Sequence, residues 1–212
     1  MKICVFGASS RDLEQGYFDE AFALGAELAR RGHTIVFGGG ASGLMGATAR
    51  GAKSQGGRLI GIAPKFFDEP GILDKDCDEM IFTETMSERK KAMEDMSEAF
   101  ITLPGGIGTF EEFFEALTLK QLGRHAKAMA VLNTLGYYDA LEAMVQRAVD
   151  ERFLTADGKD LYAMFTDVGE LVSYVENYHA EPEEIWKDKL FGKQSPGSFL
   201  SSRGFAYTIW KM

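Results

Sequence analysis

The chain has 212 residues, 45% hydrophobic and 26% charged, with a formal net charge of -9, which is ordinary for one sizeable globular domain with its own core. The acidic balance argues against a general nucleic-acid surface, which rests on clustered Lys and Arg, so any anionic ligand must be held locally. The two cysteines, Cys4 and Cys77, fit reduced thiols in a cytosolic protein better than a disulfide framework. No stretch reads as a signal peptide or a membrane span, and the expectation is a soluble, cytoplasmic protein.

Short apolar runs of β type alternate along the chain with amphipathic segments, the pattern of βα units around a parallel sheet buried on both faces. The runs predict strands at 3–6, 34–37, 59–62, 80–82, 100–103, 129–132 and 163–165. Helices are expected near 16–31, 43–56, 87–98, 109–122, 137–152 and 167–178. Right-handed crossovers put helices on both faces and collect the glycine turns that follow strands at the carboxyl edge of the sheet, which is where a ligand belongs. The acidic segment 66–79, with its Pro-Gly pair, reads as a surface loop. One domain is expected over 1–191. Residues 192–212 interleave Gly, Ser, Lys and Pro with scattered aromatics and no period, so they read as a disordered tail, a partner-binding extension or a remnant of expression.

Three glycine-rich turns follow strands, beginning at Gly7, Gly38 and Pro104. The middle one contains G-x-G-x-x-G at Gly38, Gly40 and Gly43, but the next strand ends Gly61-Ile62-Ala63-Pro64 without the acid that a dinucleotide ribose needs, and Gly-Lys-Ser/Thr is absent, so the dinucleotide and P-loop readings weaken. Each turn alone is as well explained by tight strand-to-helix turning; three in one sheet favour a shared ligand pocket. The third, Leu103-Pro-Gly-Gly-Ile-Gly-Thr-Phe-Glu-Glu112, brings bare N–H groups and a helix N-terminus together, a geometry suited to phosphate.

In the helix after this turn, a period of about 100° per residue places Phe110, Phe113, Phe114 and Leu117 on one side, the expected core face, with Glu112 and Glu115 projecting away. Acids in a first turn commonly just complement the helix dipole, but Glu112 beside a glycine cradle suggests bond-breaking chemistry. Upstream, Ser87 is a candidate N-cap. Arg89 and Lys90 sit near a helix N-terminus, where cations are unfavourable. Either they have a use or they pair with Glu84, Glu88 or Glu94 on a solvated face. His33, His125 and Lys53 read as structural or surface residues, and no spacing supports a metal site.

Met86-Ser-Glu-Arg89-Lys90, with Pro104-Gly-Gly-Ile-Gly-Thr-Phe-Glu-Glu112 downstream, resembles the paired M-x-x-R-K and P-G-G-x-G-T-x-x-E motifs of the Lonely Guy (LOG) family. These are cytokinin riboside 5'-monophosphate phosphoribohydrolases, often mislabelled as lysine decarboxylases. The resemblance runs from Lys2 to about Tyr178 and includes Gly136-Tyr137-Tyr138-Asp139. It implies a Rossmann-like, doubly wound parallel sheet, a homodimer, no cofactor, and hydrolysis of the N-glycosidic bond of a nucleoside 5'-monophosphate. By the same likeness Arg89 and Glu112 are the catalytic pair, with Arg89 stabilising the departing base or gripping the sugar phosphate. Gly105, Gly106, Gly108 and Thr109 would hold the 5'-phosphate, Ser9, Gly39 and Met86 would wall the ribose and base, and Lys90 of the first motif would join them in binding. The alternatives are a non-catalytic nucleotide or molybdenum-cofactor carrier on the same scaffold and a pyridoxal-phosphate decarboxylase, which would need a Schiff-base lysine such as Lys90 or Lys120.

Overall fold

A computed structural model describes residues 1–180; the expected boundary at 191 and the segment 192–212 lie outside the described residues. In chain order the elements are β1 (Lys2–Phe6), α1 (Gln15–Arg30), β2 (Thr34–Phe37), α2 (Gly43–Ser54), β3 (Arg58–Pro64), β4 (Glu79–Thr83), α3 (Met86–Met96), β5 (Ala99–Thr102), α4 (Ile107–Gln121), β6 (Ala128–Leu132), α5 (Asp139–Asp150), β7 (Ala163–Phe165) and α6 (Val168–Asn177). The strands form one seven-stranded sheet in the order β4-β3-β2-β1-β5-β6-β7, parallel at every pairing. This is the parallel sheet that the apolar runs predict, and the Rossmann-like, doubly wound one that the family resemblance implies.

Side chains alternate across a strand, and in β1 this alternation feeds two separate cores. Ile3 and Val5 face a core built with Leu24 and Leu28 of α1, Leu44 of α2 and Leu171 of α6. Cys4 and Phe6 face the opposite core, with Met93 of α3, Phe113 of α4 and Val145 of α5. Both faces of the strand are therefore dry, which is why it reads as an unbroken apolar run. On the first face α1 and α2 touch backbone to backbone: a Cβ on Gly25 would stand 1.9 Å from the Thr48 carbonyl oxygen, and one on Gly51 2.0 Å from that of Phe22. No helix among the described residues is long and apolar enough to cross a membrane.

Two local expectations are corrected. The N-cap of α3 is Thr85, not Ser87: Thr85 is extended, its side chain accepts from the Glu88 N–H, and Glu88 reaches back to the cap backbone, so the two satisfy each other as a capping box. The buried stripe of α4 runs through Thr109, Phe113 and Ala116, while Phe114 is exposed. Apolar periodicity misses this because a threonine and an alanine, both small, face the sheet. Glu112 consequently lies beside the buried stripe rather than opposite it.

The chain winds outward in opposite directions from β1 and β5, so the loops after these two strands part and leave a crevice at the carboxyl edge between them.

Candidate active site

The loop leaving β5 is fixed by its own backbone. Leu103 N donates to Phe6 O at 2.8 Å and Ala8 N to Pro104 O at 3.0 Å. The Tyr138 hydroxyl donates to Leu103 O at 2.8 Å and the Tyr137 hydroxyl to Gly105 O at 2.6 Å. Gly106 is the N-cap of α4, and the helix ladder opens with Phe110 N donating to Gly106 O at 2.9 Å. The N–H groups of Ile107, Gly108 and Thr109 lie ahead of that first rung, at the positive end of the helix.

Arg89, in the first turn of α3, forms part of the wall of this crevice. Its Nε donates to the Ile62 carbonyl oxygen at 3.1 Å and its Nη1 to Glu112 Oε1 at 2.9 Å. Both side chains are close to nine-tenths buried, at 11% and 12% exposure. The guanidinium fits because position 38 is glycine: a Cβ there would stand 2.2 Å from Arg89 Nη2. Burial pushes the Glu112 carboxyl up from its ordinary value, and the charge and hydrogen bond of Arg89 pull against that shift. A carboxylate mostly removed from solvent, whose ionised form is favoured chiefly by one adjacent guanidinium, is suited to facing a developing cation.

A cavity of about 770 Å³ opens here. Of the residues singled out from the sequence, Ser9, Arg89, Gly106, Gly108, Thr109 and Glu112 line it, while Gly39, Met86, Lys90 and Gly105 do not. Gly39 holds a left-handed turn with φ of 73° and its carbonyl accepts from Asp74 N at 2.7 Å. Met86 is the first residue of α3 and lies exposed. Lys90 pairs with Glu115 at 2.8 Å and with Glu111, so it ties α3 to α4 instead of pairing with Glu84, Glu88 or Glu94. Gly105, within the loop itself, packs on the Thr109 side chain.

Sequence reasoning missed part of the wall. Arg11 lines the cavity with its Nε on Ser42 Oγ at 2.9 Å, and so do Phe67, Ile72 and Leu73. The segment expected as a plain surface loop therefore borders the site. Ala41 N donates to Ile72 O at 3.0 Å, and Gly40 bridges Leu73. The signal was there in the apolar pairs Phe66-Phe67 and Ile72-Leu73 set among acids. Gly43 serves packing: its φ is 62°, and a Cβ on it would stand 2.4 Å from Ala8 O, so the G-x-G-x-x-G spacing seats α2 against the turn after β1.

Neither lysine proposed for a Schiff base lies on the cavity wall. Among the described residues the Lys120 Nζ has no hydrogen-bond partner and is buried, 4.6 Å from the centre of the Tyr178 ring, and burial brings its pKa down to about 8. His33 contacts Glu176 at 2.9 Å and His125 the Ala116 carbonyl at 2.8 Å; Lys53 pairs with Asp78. Among the described residues no group of three His, Cys, Asp or Glu could hold a metal ion.

Known proteins resemble this chain in both sequence and fold. The family described as "Possible lysine decarboxylase" matches residues 45–175. Cytokinin riboside 5'-monophosphate phosphoribohydrolase LOG2 of Arabidopsis thaliana is 37% identical over 204 residues, covering 96% of each chain. The probable cytokinin riboside 5'-monophosphate phosphoribohydrolase LOGL9 of Oryza sativa subsp. japonica is 39% identical over 177 residues, 84% of this chain and 78% of that protein. Among solved structures, the molybdenum cofactor binding protein from Rippkaea orientalis superposes with a TM-score of 0.64 at 20% identity, covering 82% of this chain and 94% of the other. The molybdenum cofactor carrier protein from Chlamydomonas reinhardtii gives 0.62 at 24% identity, covering 82% and 95%. At such identities the structural likeness shows the fold alone.

Proposed function

We propose, from the premise that the chain belongs to the Lonely Guy (LOG) family, that it hydrolyses the N-glycosidic bond of a nucleoside 5'-monophosphate to free base and ribose 5-phosphate. The observation that carries this reading is the buried Arg89–Glu112 pair on the wall of the same cavity as the open N-terminus of α4. In this reading the 5'-phosphate sits on the N–H groups of the 106–109 turn with the Thr109 hydroxyl, the sugar lies over Glu112, and the base lies toward Phe67, Ile72 and Leu73.

The C1'–N bond breaks with its electron pair leaving on the base, which takes up a proton from solvent, and water adds to the cationic sugar carbon and gives up a proton in turn. Glu112 faces that cation and accepts the proton of the attacking water. Arg89 keeps Glu112 ionised against its burial and fixes its orientation; its positive charge also suits the electron-rich leaving base. Phosphate anchoring holds the sugar in register, so nucleosides without it react poorly. A carrier would need binding groups but no reacting carboxylate.

The test is release of base from adenosine monophosphate and from its N6-isopentenyl analogue by the purified protein; no release from any nucleotide tried rejects the reading. Glu112→Gln is expected to lower turnover by about 10²–10⁴-fold, the span of a lost general base, while nucleotide binding measured by calorimetry survives. Full turnover in this variant would remove Glu112 from the mechanism. The protein is further proposed to act as a homodimer in the cytoplasm. Exposed Met144 and Phe153 offer apolar surface for a second copy to cover, and the free thiols of Cys4 and Cys77 suit a reducing compartment.

A further inference from the structure

The turn after β6 reaches the site from behind. Asn133 Nδ2 donates to Asp139 Oδ1 at 2.7 Å, and Asn133 Oδ1 accepts from Tyr138 N at 2.6 Å. Between them Leu135 and Gly136 are both left-handed, with φ of 53° and 71°. This reversal brings two sequence neighbours, Tyr137 and Tyr138, against one loop with their rings crossed at 86°; Tyr17 packs edge-on against Tyr137.

The two hydroxyls take the carbonyls of Leu103 and Gly105, and Ala8 N takes the carbonyl between them, on Pro104. Three successive carbonyls are thus engaged, and none of the three residues forms cavity wall, whereas Gly106, Ile107, Gly108 and Thr109 all do. In a trans peptide the C=O and the following N–H lie in one rigid plane and point in opposite directions. A hydrogen bond from Tyr137 on the Gly105 carbonyl therefore aims the Gly106 N–H the other way, toward the cavity. That peptide joins two glycines, the residues least able to hold an orientation unaided.

We propose that Tyr137 and Tyr138 are positioning residues that set the affinity of the 106–109 turn for a phosphoryl group by locking the peptide planes that lead into it. The proposal rests on the reading of that turn as the phosphate seat. It assigns the Tyr-Tyr pair of the β6 turn to binding rather than to chemistry, and it makes phosphate affinity depend on hydroxyls that never touch the ligand.

Tyr137→Phe removes only the hydroxyl from a ring that is 40% exposed, so the fold and its thermal midpoint should be retained. The affinity for inorganic phosphate, read by titration calorimetry, is expected to weaken about fivefold, the size of one neutral hydrogen bond. KM for the nucleoside monophosphate should rise by the same factor with kcat little changed, and the slow reaction of the corresponding nucleoside should not move. Tyr138→Phe should act in the same direction but more weakly, because the Leu103–Pro104 peptide it holds has no N–H to aim and the hydroxyl fixes only where the loop leaves β5. Wild-type phosphate affinity in both variants, or equal losses on nucleotide and nucleoside, overturns the proposal, as does a wild-type protein that binds no phosphate. Weakened phosphate binding in a protein that releases no base from any nucleotide would support the tyrosine role and reject the hydrolase reading alone.

Discussion

Arg89 is held by a carbonyl, a carboxylate and the space left by a missing side chain, and each can be altered separately. Gly38→Ala places a methyl group 2.2 Å from Arg89 Nη2, well inside van der Waals contact distance, so the guanidinium must leave either Ile62 or Glu112. We expect kcat to fall by about tenfold or more, as misplacement by an ångström or so commonly does, with little change in the thermal midpoint; unchanged kcat would mean that the position of Arg89 is immaterial. For Glu112 the ionised form is the working form and its pKa is raised by burial. The acid limb of kcat/KM should therefore lie above 4.5, the ordinary glutamate value, and a pH profile with its limb at or below that value would count against Glu112 as the base. The linkage has the matching sign. A raised carboxyl pKa contributes stability below the ordinary value that is lost as pH rises through the raised one. Arg89 and Glu112 could be singled out in the sequence because each sits where a plain helix has no use for it or beside a glycine cradle. Arg11 could not, since an arginine after a turn looks like any solvated charge until Ser42 is seen beside it.

At the level of elements, the strands were legible because burial on both faces leaves no polar position to interrupt them, as in Ile3-Cys4-Val5-Phe6. The face of α4 was not, because Thr109 and Ala116 carry little apolar signal yet pack inward, and Phe114 carries much and points out. The border formed by Phe67 and Ile72 left a trace only in apolar pairs set among acids: a loop's contacts with the turn after β2 are long-range and leave no period. The contact of α1 with α2 gives a direct test of packing. Gly25→Ala drives a methyl group into the Thr48 carbonyl, and overpacking of this kind costs about 1–3 kcal/mol. Urea unfolding should show that loss, with kcat of the folded fraction unaffected; a wild-type midpoint would mean that the helices separate freely.

For the whole molecule, the homodimer proposal predicts a particle of twice the monomer mass by light scattering at micromolar concentration, and Phe153→Ser, which removes an apolar side chain 84% exposed, should shift the balance toward monomer. A single-chain mass at all concentrations would refute it. The sheet order carries one more consequence. β1 is hydrogen-bonded on one side to β2 and on the other to β5, and β5 in turn to β6, with a helical layer over each face. Amide protons of residues 3–6 and 99–102 should then be the last in the protein to trade with deuterated solvent, doing so only when the entire domain opens. The loops that would grasp a nucleotide spring directly from those two slowest strands, so a bound ligand should delay deuterium uptake throughout the domain and not merely around its own pocket.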